Sequence, residues 1–191
     1  MADEYREKLS KVLKETLTPG EEILWQSGAA TAGLLEGPSS RAILAKWGIS
    51  LACPILAWVY MAKASQHRTS ILVILLGIMA LLILSPVLEW KDLSRQYYVL
   101  TNQRAILIRK NMTAEAMELA AVDDARIVKP TAKEACLVLG SRLTRESAGN
   151  LRSRSLHPLE ESGDSRVCGM VFYGIRNADR ALELVSRYTT A

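Results

Sequence analysis

The sequence predicts a mixed architecture, in which a hairpin of two hydrophobic helices is attached to a small α+β domain built on an antiparallel sheet. Between residues 42 and 90 lie two apolar stretches of about 20 residues each, the length that crosses a bilayer core as a helix. Beyond Trp90, apolar and polar residues alternate in short runs, which is typical of strands. After Asn177 the apolar positions recur at spacings of three and four, which indicates a closing helix.

The N-terminal region, residues 1–41, predicts one helix and one short strand. Residues 3–17 place apolar side chains on one helical face, and Pro19-Gly20 ends the pattern. We interpret this helix as one that packs on the protein. The alternative is a helix that lies on the membrane surface. That alternative is weakened because the polar face of the helix carries as many acidic as basic residues. Residues 22–27 follow as a strand candidate.

The first hydrophobic stretch, residues 42–62, predicts a membrane span. Lys46 lies one turn inside it, where its ammonium can reach the interface. Trp47 near one end, and Trp58 and Tyr60 near the other, suit the aromatic belts of a bilayer. Pro54 removes a backbone N–H and predicts a kink in the middle.

The second stretch, residues 69–88, contains no charged residue and is apolar on every face. A helix that is hydrophobic all round is either deeply buried or in a membrane, and a chain of this size has nowhere to bury two of them. The hairpin 42–90 is therefore predicted to be transmembrane.

The connector, residues 63–68, is too short to hold a domain, so both termini are expected on one side. Cations near the spans indicate which side this is. The side of the termini carries more of them (Arg41, Lys46, Lys91, Arg95, Arg104, Arg109 and Lys110) than the connector (Lys63 and Arg68). This distribution favours cytoplasmic termini in a multi-pass protein.

Residues 91–191 predict the sheet domain. A β-hairpin is expected from residues 96–101 and 104–110 around Asn102-Gln103, with further strands near 116–120, 126–130, 136–140 and 167–173. Asn177 is a candidate N-cap of the closing helix. Residues 141–166 are rich in Ser, Gly and charge without periodicity, which predicts a mobile insertion.

No catalytic pattern is visible, so the sequence favours a protein that is not an enzyme and has no catalytic, cofactor-binding or metal-binding residues. Glycine-rich phosphate loops, nucleophile elbows and metal-binding His motifs are missing. Asp123-Asp124 is better explained by a turn than by acid–base work. The cysteines (Cys53, Cys136 and Cys168) lack metal spacing and indicate reduced thiols.

The segment YYVLTNQRAILIRK (residues 97–110) resembles the Y-x-L-T-x-x-R hairpin of bacterial pleckstrin-homology-like (PH-like) domains. FYGIRNADRALELV (172–185) is similar to their last strand and helix, and GEEILW (20–25) to the start of membrane-bound members. The resemblance implies a strongly bent sheet, or partly open barrel, capped by the C-terminal helix. It also implies a bacterial inner membrane location. Photosynthetic-complex assembly proteins share this layout.

Several residues are candidates for binding. Alternation along 104–110 separates Arg104 and Lys110 from Arg109, so the cations do not converge, and Arg104 is interpreted as closing the hairpin. Contacts to lipid or to a partner are expected from a basic set (Arg142, Arg145, Arg152, Arg154 and Lys110), with a solvated loop as the alternative. Gly48 and Ala52 form a small-xxx-small pair for helix packing, more readily within the hairpin than with another protein.

The expected function is a non-enzymatic, membrane-anchored PH-like scaffold that assembles with, or is an accessory subunit of, a larger membrane complex. The alternative is a module that senses anionic lipid at the cytoplasmic face. The expected partners are membrane lipids and other membrane proteins, with no nucleic acid.

Overall fold

The computed structural model describes residues 2–30, 33–35, 40–63, 68–130, 135–161 and 166–189. The helices are α1 (Ala2–Thr16), α2 (Ser40–Ser50), α3 (Ala52–Lys63), α4 (Arg68–Leu93), α5 (Ser141–Thr144), α6 (Leu151–Leu156) and α7 (Ala178–Thr189). The strands are β1 (Ile23–Gly28), β2 (Tyr97–Thr101), β3 (Arg104–Ile108), β4 (Ala114–Glu118), β5 (Ala125–Val128), β6 (Ala135–Leu139), β7 (Leu159–Glu160) and β8 (Val167–Ile175). The chain forms two compact units, one of residues 1–32 with 92–191 and one of residues 33–91.

The first unit contains two antiparallel sheets, with strand orders β1-β2-β3-β4 and β5-β6-β8-β7. This is the mixed α+β fold that the sequence predicts. The expected hairpin around Asn102-Gln103 is present as β2 and β3.

The N-terminal strand belongs to the same sheet as the C-terminal strands. β1 pairs antiparallel with β2, with Gly28 opposite Tyr97 and Trp25 opposite Leu100. The apolar helices are thus inserted in the chain between two neighbouring strands of one sheet.

The core of this unit lies between the inner faces of the two sheets. Phe172 of β8 stacks with Tyr98 and with Trp25, with ring centroids 4.7 Å and 6.3 Å apart. Ala181 and Val185 of α7 close the same cluster. The alternation of the strands dictates this arrangement, because it directs every second side chain inward.

Helix α1 packs on the outer face of the first sheet, as its apolar stripe predicts. Leu9 and Leu13 lie against Val99, Ile106 and Ile108, all of which are buried. The interpretation of a helix packed on the protein is therefore confirmed.

The segment 141–166 is predicted as a mobile insertion, but its residues 141–161 are folded. It forms α5, α6 and β7, and the side chains of Leu143 and Leu151 are fully buried. These few leucines among many Ser and Arg residues are enough to seat two short helices, although they are too sparse to produce a detectable period. Residues 162–165 of the segment lie outside the described residues.

The closing helix α7 begins after Asn177, as predicted, but Asn177 is not an extended N-cap residue. Its φ is +56°, and its carbonyl accepts the N–H of Ala181 at 3.3 Å. Asparagine tolerates this left-handed conformation better than most residues.

The second unit is built from α2, α3 and most of α4. The first hydrophobic stretch breaks at Leu51, three residues before Pro54, where the ring removes the N–H that would bond back into the preceding turn. The helices run antiparallel, since Lys46 Nζ lies 3.9 Å from Glu89 Oε1 and the Trp47 indole donates to the Ile83 carbonyl at 3.4 Å.

Candidate functional site

The turn between β2 and β3 is closed by a polar cluster around the Glu21 carboxylate. Arg104 donates from Nη2 to Glu21 Oε2 at 2.5 Å and from Nε to Oε1 at 3.1 Å. The Thr101 hydroxyl donates to Oε1 at 2.6 Å. Arg104 also donates to the carbonyl of Thr16 at the end of α1, at 2.9 Å. Arg104 therefore ties α1 to the β2–β3 hairpin, in agreement with its predicted structural role.

The electrostatics of this cluster keep Glu21 charged. Its side chain is 0% exposed, and burial alone would raise the pKa of the carboxyl. Hydrogen bonds from Arg104, Thr101 and Thr18 outweigh burial and lower the pKa to about 2. Because Arg104 is committed to this pair, it is not available to an external anion.

Sequence reasoning identified Arg104 but missed Glu21, its partner. The acidic pair in GEEILW is the only sequence signal for this carboxylate. Glu21 lies near Arg104 because the pairing of β1 with β2 brings the start of β1 beside the β2–β3 turn. Pairing across the apolar helices could not be derived from local pattern.

A second buried cluster fastens α6 to the sheets. The Tyr98 hydroxyl donates to Gln96 Oε1 at 2.7 Å and accepts the N–H of Tyr173 at 3.1 Å. Gln96 Nε2 donates to the Ser155 carbonyl at 2.9 Å, and the Ser155 hydroxyl donates back to Gln96 Oε1 at 2.7 Å. Burial raises the pKa of the Tyr98 phenol, so this hydroxyl stays protonated and the cluster is structural.

The four arginines proposed for lipid or partner contacts do not form one patch. Arg152 is buried. Arg154 donates from Nε to both carboxylate oxygens of Glu146, at 2.9 and 3.1 Å, and this hydrogen bonding raises the pKa of its guanidinium. Arg142 and Arg145 remain exposed. The packing of α6 accounts for this separation, because it turns one arginine inward and pairs the next.

A recess in the first unit lies beside the end of β1 and the start of β2, and we call it the β1–β2 recess. Its volume is about 460 Å³, and its lining is Tyr5, Gly28, Ala29, Ser94, Arg95, Gln96, Tyr97 and Lys110. The Tyr5 hydroxyl donates to the Arg95 carbonyl at 2.9 Å. Lys110 Nζ lies 2.8 Å from Asp92 Oδ1, whereas Arg95 is exposed and forms no ion pair with another described residue.

A larger recess runs along β4, and we call it the β4 groove. Its volume is about 520 Å³, and its lining is Ala116, Glu118, Ala121, Asp123, Ser141, Arg142, Glu161, Arg166, Val167 and Cys168. One wall is β4 with the turn that follows it, and the other is formed by α5 and the start of β8. No sequence pattern announced this groove, because its walls come from distant parts of the chain.

The acidic pair Asp123-Asp124 holds α5 beside the β4 groove. Asp123 accepts hydrogen bonds from the Ser141 N–H at 2.7 Å and from the Ser141 hydroxyl. Asp124 accepts the Thr144 hydroxyl at 2.6 Å. The bonds from Ser141 lower the pKa of Asp123. Both carboxylates serve as anchors of a short helix, in keeping with the turn interpretation.

The structure brings together no metal-binding group in the part of the chain that it describes: no three His, Cys, Asp or Glu side chains converge there. His157 is exposed at the end of α6. His67 lies outside the described residues.

Gly48 and Ala52 are both exposed in the second unit, and a Cβ added to Gly48 would meet nothing within 4 Å. The buried positions of the first stretch are instead Ile43, Ser50, Cys53 and Ala57. Successive members of this set are seven, three and four residues apart, which is the spacing of side chains on one helical face. Gly48 therefore makes no close contact with another helix among the described residues, and the expected packing role of the Gly48 and Ala52 pair stays a prediction.

Comparison of the chain with protein families, with curated proteins and with solved structures finds no match.

Proposed function

We propose that this protein is a non-enzymatic scaffold: a PH-like domain anchored at the cytoplasmic face of the bacterial inner membrane, where it assembles with a larger membrane protein complex. The observation that carries the proposal is the position of two apolar spans whose side chains are mostly exposed. These spans are inserted in the chain between the adjacent strands β1 and β2 of a well-packed domain.

The exposed apolar surface supports the membrane anchor. Residues 40–63 and 69–93 are long and apolar enough to cross a bilayer, and only 17% and 6% of their most apolar windows are buried. Among the described residues, every exposed large apolar side chain except Ile23 lies in the second unit. Soluble monomers rarely expose patches of that size, whereas lipid covers them at no cost.

The order of elements supports the PH-like assignment. Four strands form one sheet, three longer strands and the short β7 form the other, and α7 follows the last strand and packs into the core. That order fits the bent sheet with a C-terminal capping helix that the sequence resemblance implies.

The distribution of charge supports cytoplasmic termini. Arg41, Lys91 and Arg95 flank the helices on the side of the sheet domain, while Lys63 and Arg68 flank the connector. Both β1 and β2 belong to one sheet, so the two ends of the hairpin start from one folded domain. The excess of cations on that domain favours the cytoplasmic side.

The scaffold role is tested by the native state of the full-length protein. The tagged protein is extracted in a mild detergent from cells that contain its natural partners, and its mass is measured by sedimentation. We expect a species much heavier than the monomer with its micelle, which returns to monomer in a harsh detergent. A lone monomer in the mild detergent would contradict the proposal.

A second candidate function, the sensing of anionic lipid, is favoured by the β1–β2 recess. Arg95 lies two residues after the end of α4, so chain geometry keeps it within about 7 Å of Leu93. Tyr5 and Tyr97 provide an aromatic wall, and burial raises the pKa of both phenols. Tyrosines beside an unpaired arginine suit the headgroup level of a bilayer.

Binding of soluble headgroup analogues separates this second function from a general attraction of charge. The full-length protein in nanodiscs is probed with soluble headgroup analogues of phosphatidylglycerol and phosphatidylcholine. Arg95→Gln should abolish any preference for the anionic analogue, whereas the control variant Arg145→Gln, also exposed but outside the recess, should keep it. Equal binding of both analogues by the native protein would rule out lipid sensing.

A further inference from the structure

We propose that α1 is part of an anion site in the β1–β2 recess, so that docking of α1 on the first sheet and binding of a phosphodiester anion stabilise each other. This inference rests on the second candidate function, the sensing of anionic lipid, and names the element of the fold that responds to the lipid.

The recess offers an anion two hydrogen-bond donors, Arg95 and Tyr97. Among its described lining residues there are two cations and no carboxylate. One of these cations, Lys110, is paired with Asp92 at 2.8 Å, so Arg95 is left to supply the countercharge. Burial raises the pKa of the Tyr97 phenol, so its hydroxyl stays protonated and can donate. A guanidinium suits a phosphodiester because it donates two parallel hydrogen bonds to the phosphate oxygens.

Space for the anion comes from two small residues. Gly28 and Ala29 line the recess, whose volume is about 460 Å³. A Cβ added to Gly28 would lie 3.8 Å from Cδ2 of Tyr97, so a larger side chain there would fill the space beside the ring. The absence of a side chain at Gly28 therefore keeps the phenol of Tyr97 accessible.

Helix α1 holds both donors in place. The Tyr5 hydroxyl donates to the Arg95 carbonyl at 2.9 Å, which fixes the main chain that carries the guanidinium. The Tyr97 ring packs against the apolar cluster that α1 forms with the sheet, in which Leu9 and Leu13 are buried. Tyr5 is thus a positioning residue, since its own proton is committed to the Arg95 carbonyl.

The docking of α1 depends on one face and two ends. Its far end is held by Arg104, which donates to the Thr16 carbonyl at 2.9 Å. Its opposite face is exposed at Glu7, Lys11 and Lys14. A helix attached in this way opens locally more readily than core strands do. With 15 residues, α1 is too short to stay helical in water by itself, so undocking also unfolds it.

The coupling follows from this geometry. Undocking of α1 releases the Arg95 main chain and removes Tyr5 from the wall of the recess. The anion therefore binds the docked state more tightly, and by linkage its binding favours docking by the same factor. The apparent affinity for the anion falls in proportion to the fraction of molecules in which α1 is docked.

The test measures binding of glycerophosphoglycerol, the headgroup of phosphatidylglycerol, to the full-length protein in nanodiscs of zwitterionic lipid. Leu9→Ser combined with Leu13→Ser undocks α1 and should weaken binding at least about tenfold. Glu7→Ser combined with Lys14→Ser places two serines on the exposed face without changing the net charge, and should change binding by less than about twofold. Inorganic phosphate that binds as tightly as glycerophosphoglycerol would overturn the assignment to a phosphodiester.

A double-mutant cycle tests the positioning role of Tyr5. Tyr5→Phe keeps the ring but removes the hydrogen bond to the Arg95 carbonyl, and should weaken binding about fivefold. The same substitution in an Arg95→Gln background should have no further effect, because Tyr5 acts through Arg95. Tyr188→Phe, on α7 and outside the recess, should leave binding unchanged.

Hydrogen exchange of the native protein keeps the test decisive if the variant of Leu9 and Leu13 fails to fold, which thermal unfolding would reveal. At a glycerophosphoglycerol concentration about ten times its Kd, exchange of the α1 amides should slow about tenfold, because only docked molecules bind the anion. The slowing should be absent in Arg95→Gln, which lacks the countercharge.

Two results separate the inference from the function on which it rests. If glycerophosphoglycerol binds but neither undocking of α1 nor Tyr5→Phe alters its affinity, or if the α1 amides exchange at the same rate with and without it, the inference is overturned and lipid sensing stands. If it does not bind the native protein, lipid sensing and the inference are both overturned. The scaffold role is judged by sedimentation and is independent of either result.

Discussion

Arg104 and Glu21 form a two-point ion pair, with donor–acceptor distances of 2.5 Å and 3.1 Å, although the apolar helices lie between them in the chain. The contact joins the N-terminal region, residues 1–41, to the sheet domain, residues 91–191. It also means that the chain leaves the first unit for the apolar helices and returns to the same sheet after them.

The first prediction concerns the strength of this pair. Glu21→Gln should lower the free energy of unfolding by about 2 kcal/mol, because it removes the carboxylate that accepts two hydrogen bonds from the largely buried Arg104. The measurement is chemical unfolding of the full-length protein in detergent, followed by the fluorescence of Trp25 in a background in which Trp47, Trp58 and Trp90 are replaced by Phe. Glu22→Gln, the exposed neighbour, is the control and should be neutral.

The same pair predicts a pH dependence. The folded-state pKa of Glu21 is about 2, below its ordinary value of 4.5, so its contribution is present above pH about 4.5. That contribution is lost as the pH falls through 2. The difference in stability between the native protein and Glu21→Gln should therefore shrink over this window. A difference that is independent of pH would show that the carboxylate charge is not responsible.

The second prediction concerns the Tyr98 hydroxyl. Tyr98→Phe removes the acceptor for the buried N–H of Tyr173 and a donor to Gln96, and should cost about 1–3 kcal/mol. Tyr188→Phe, on a partly exposed position of α7, should cost much less. The measurement is thermal unfolding of both variants. Equal shifts in Tm would contradict the role assigned to the buried network.

The third prediction concerns the segment that the sequence predicted as an irregular insertion. Leu151→Ala should lower the free energy of unfolding by about 2–4 kcal/mol, since Leu151 is fully buried. Ser153→Ala, exposed on the same helix, should have almost no effect. If both variants unfold like the native protein, α6 does not pack on the domain.

Local pattern was sufficient for most of the individual elements. The alternation of the YYVLT and RAILI strands, the stripe of α1 and the proline break near Leu51 all follow from neighbouring residues, and each is present. The sequence also predicted that Arg104 has a structural role.

Long-range pairing was not predictable in the same way. The partnership of Glu21 with Arg104, the burial of Arg152 and the β4 groove all depend on segments brought together from distant parts of the chain. Arg152 shows the difficulty most clearly. In a run of Ser and Arg residues its neighbours give no signal that one guanidinium turns inward while Arg154 pairs with Glu146.

The fourth prediction distinguishes a lipid-covered helix from a soluble one. Leu81, at the centre of the second apolar stretch, is 70% exposed. Leu81→Arg would be harmless on a soluble surface but costs about 3 kcal/mol at the centre of a bilayer. We expect more of the variant than of the native protein to be released by alkaline carbonate. Gln103→Arg, in the exposed β2–β3 turn, should behave like the native protein.

The most direct test of the membrane-anchored account is cysteine labelling from the two sides of the inner membrane. Single cysteines replace Gln26, Gln103 or Ser65, in a full-length protein without Cys53, Cys136 and Cys168. The account predicts that an impermeant maleimide labels position 65 only in intact spheroplasts, and positions 26 and 103 only in inverted vesicles. Equal labelling of all three positions from the same side would contradict it.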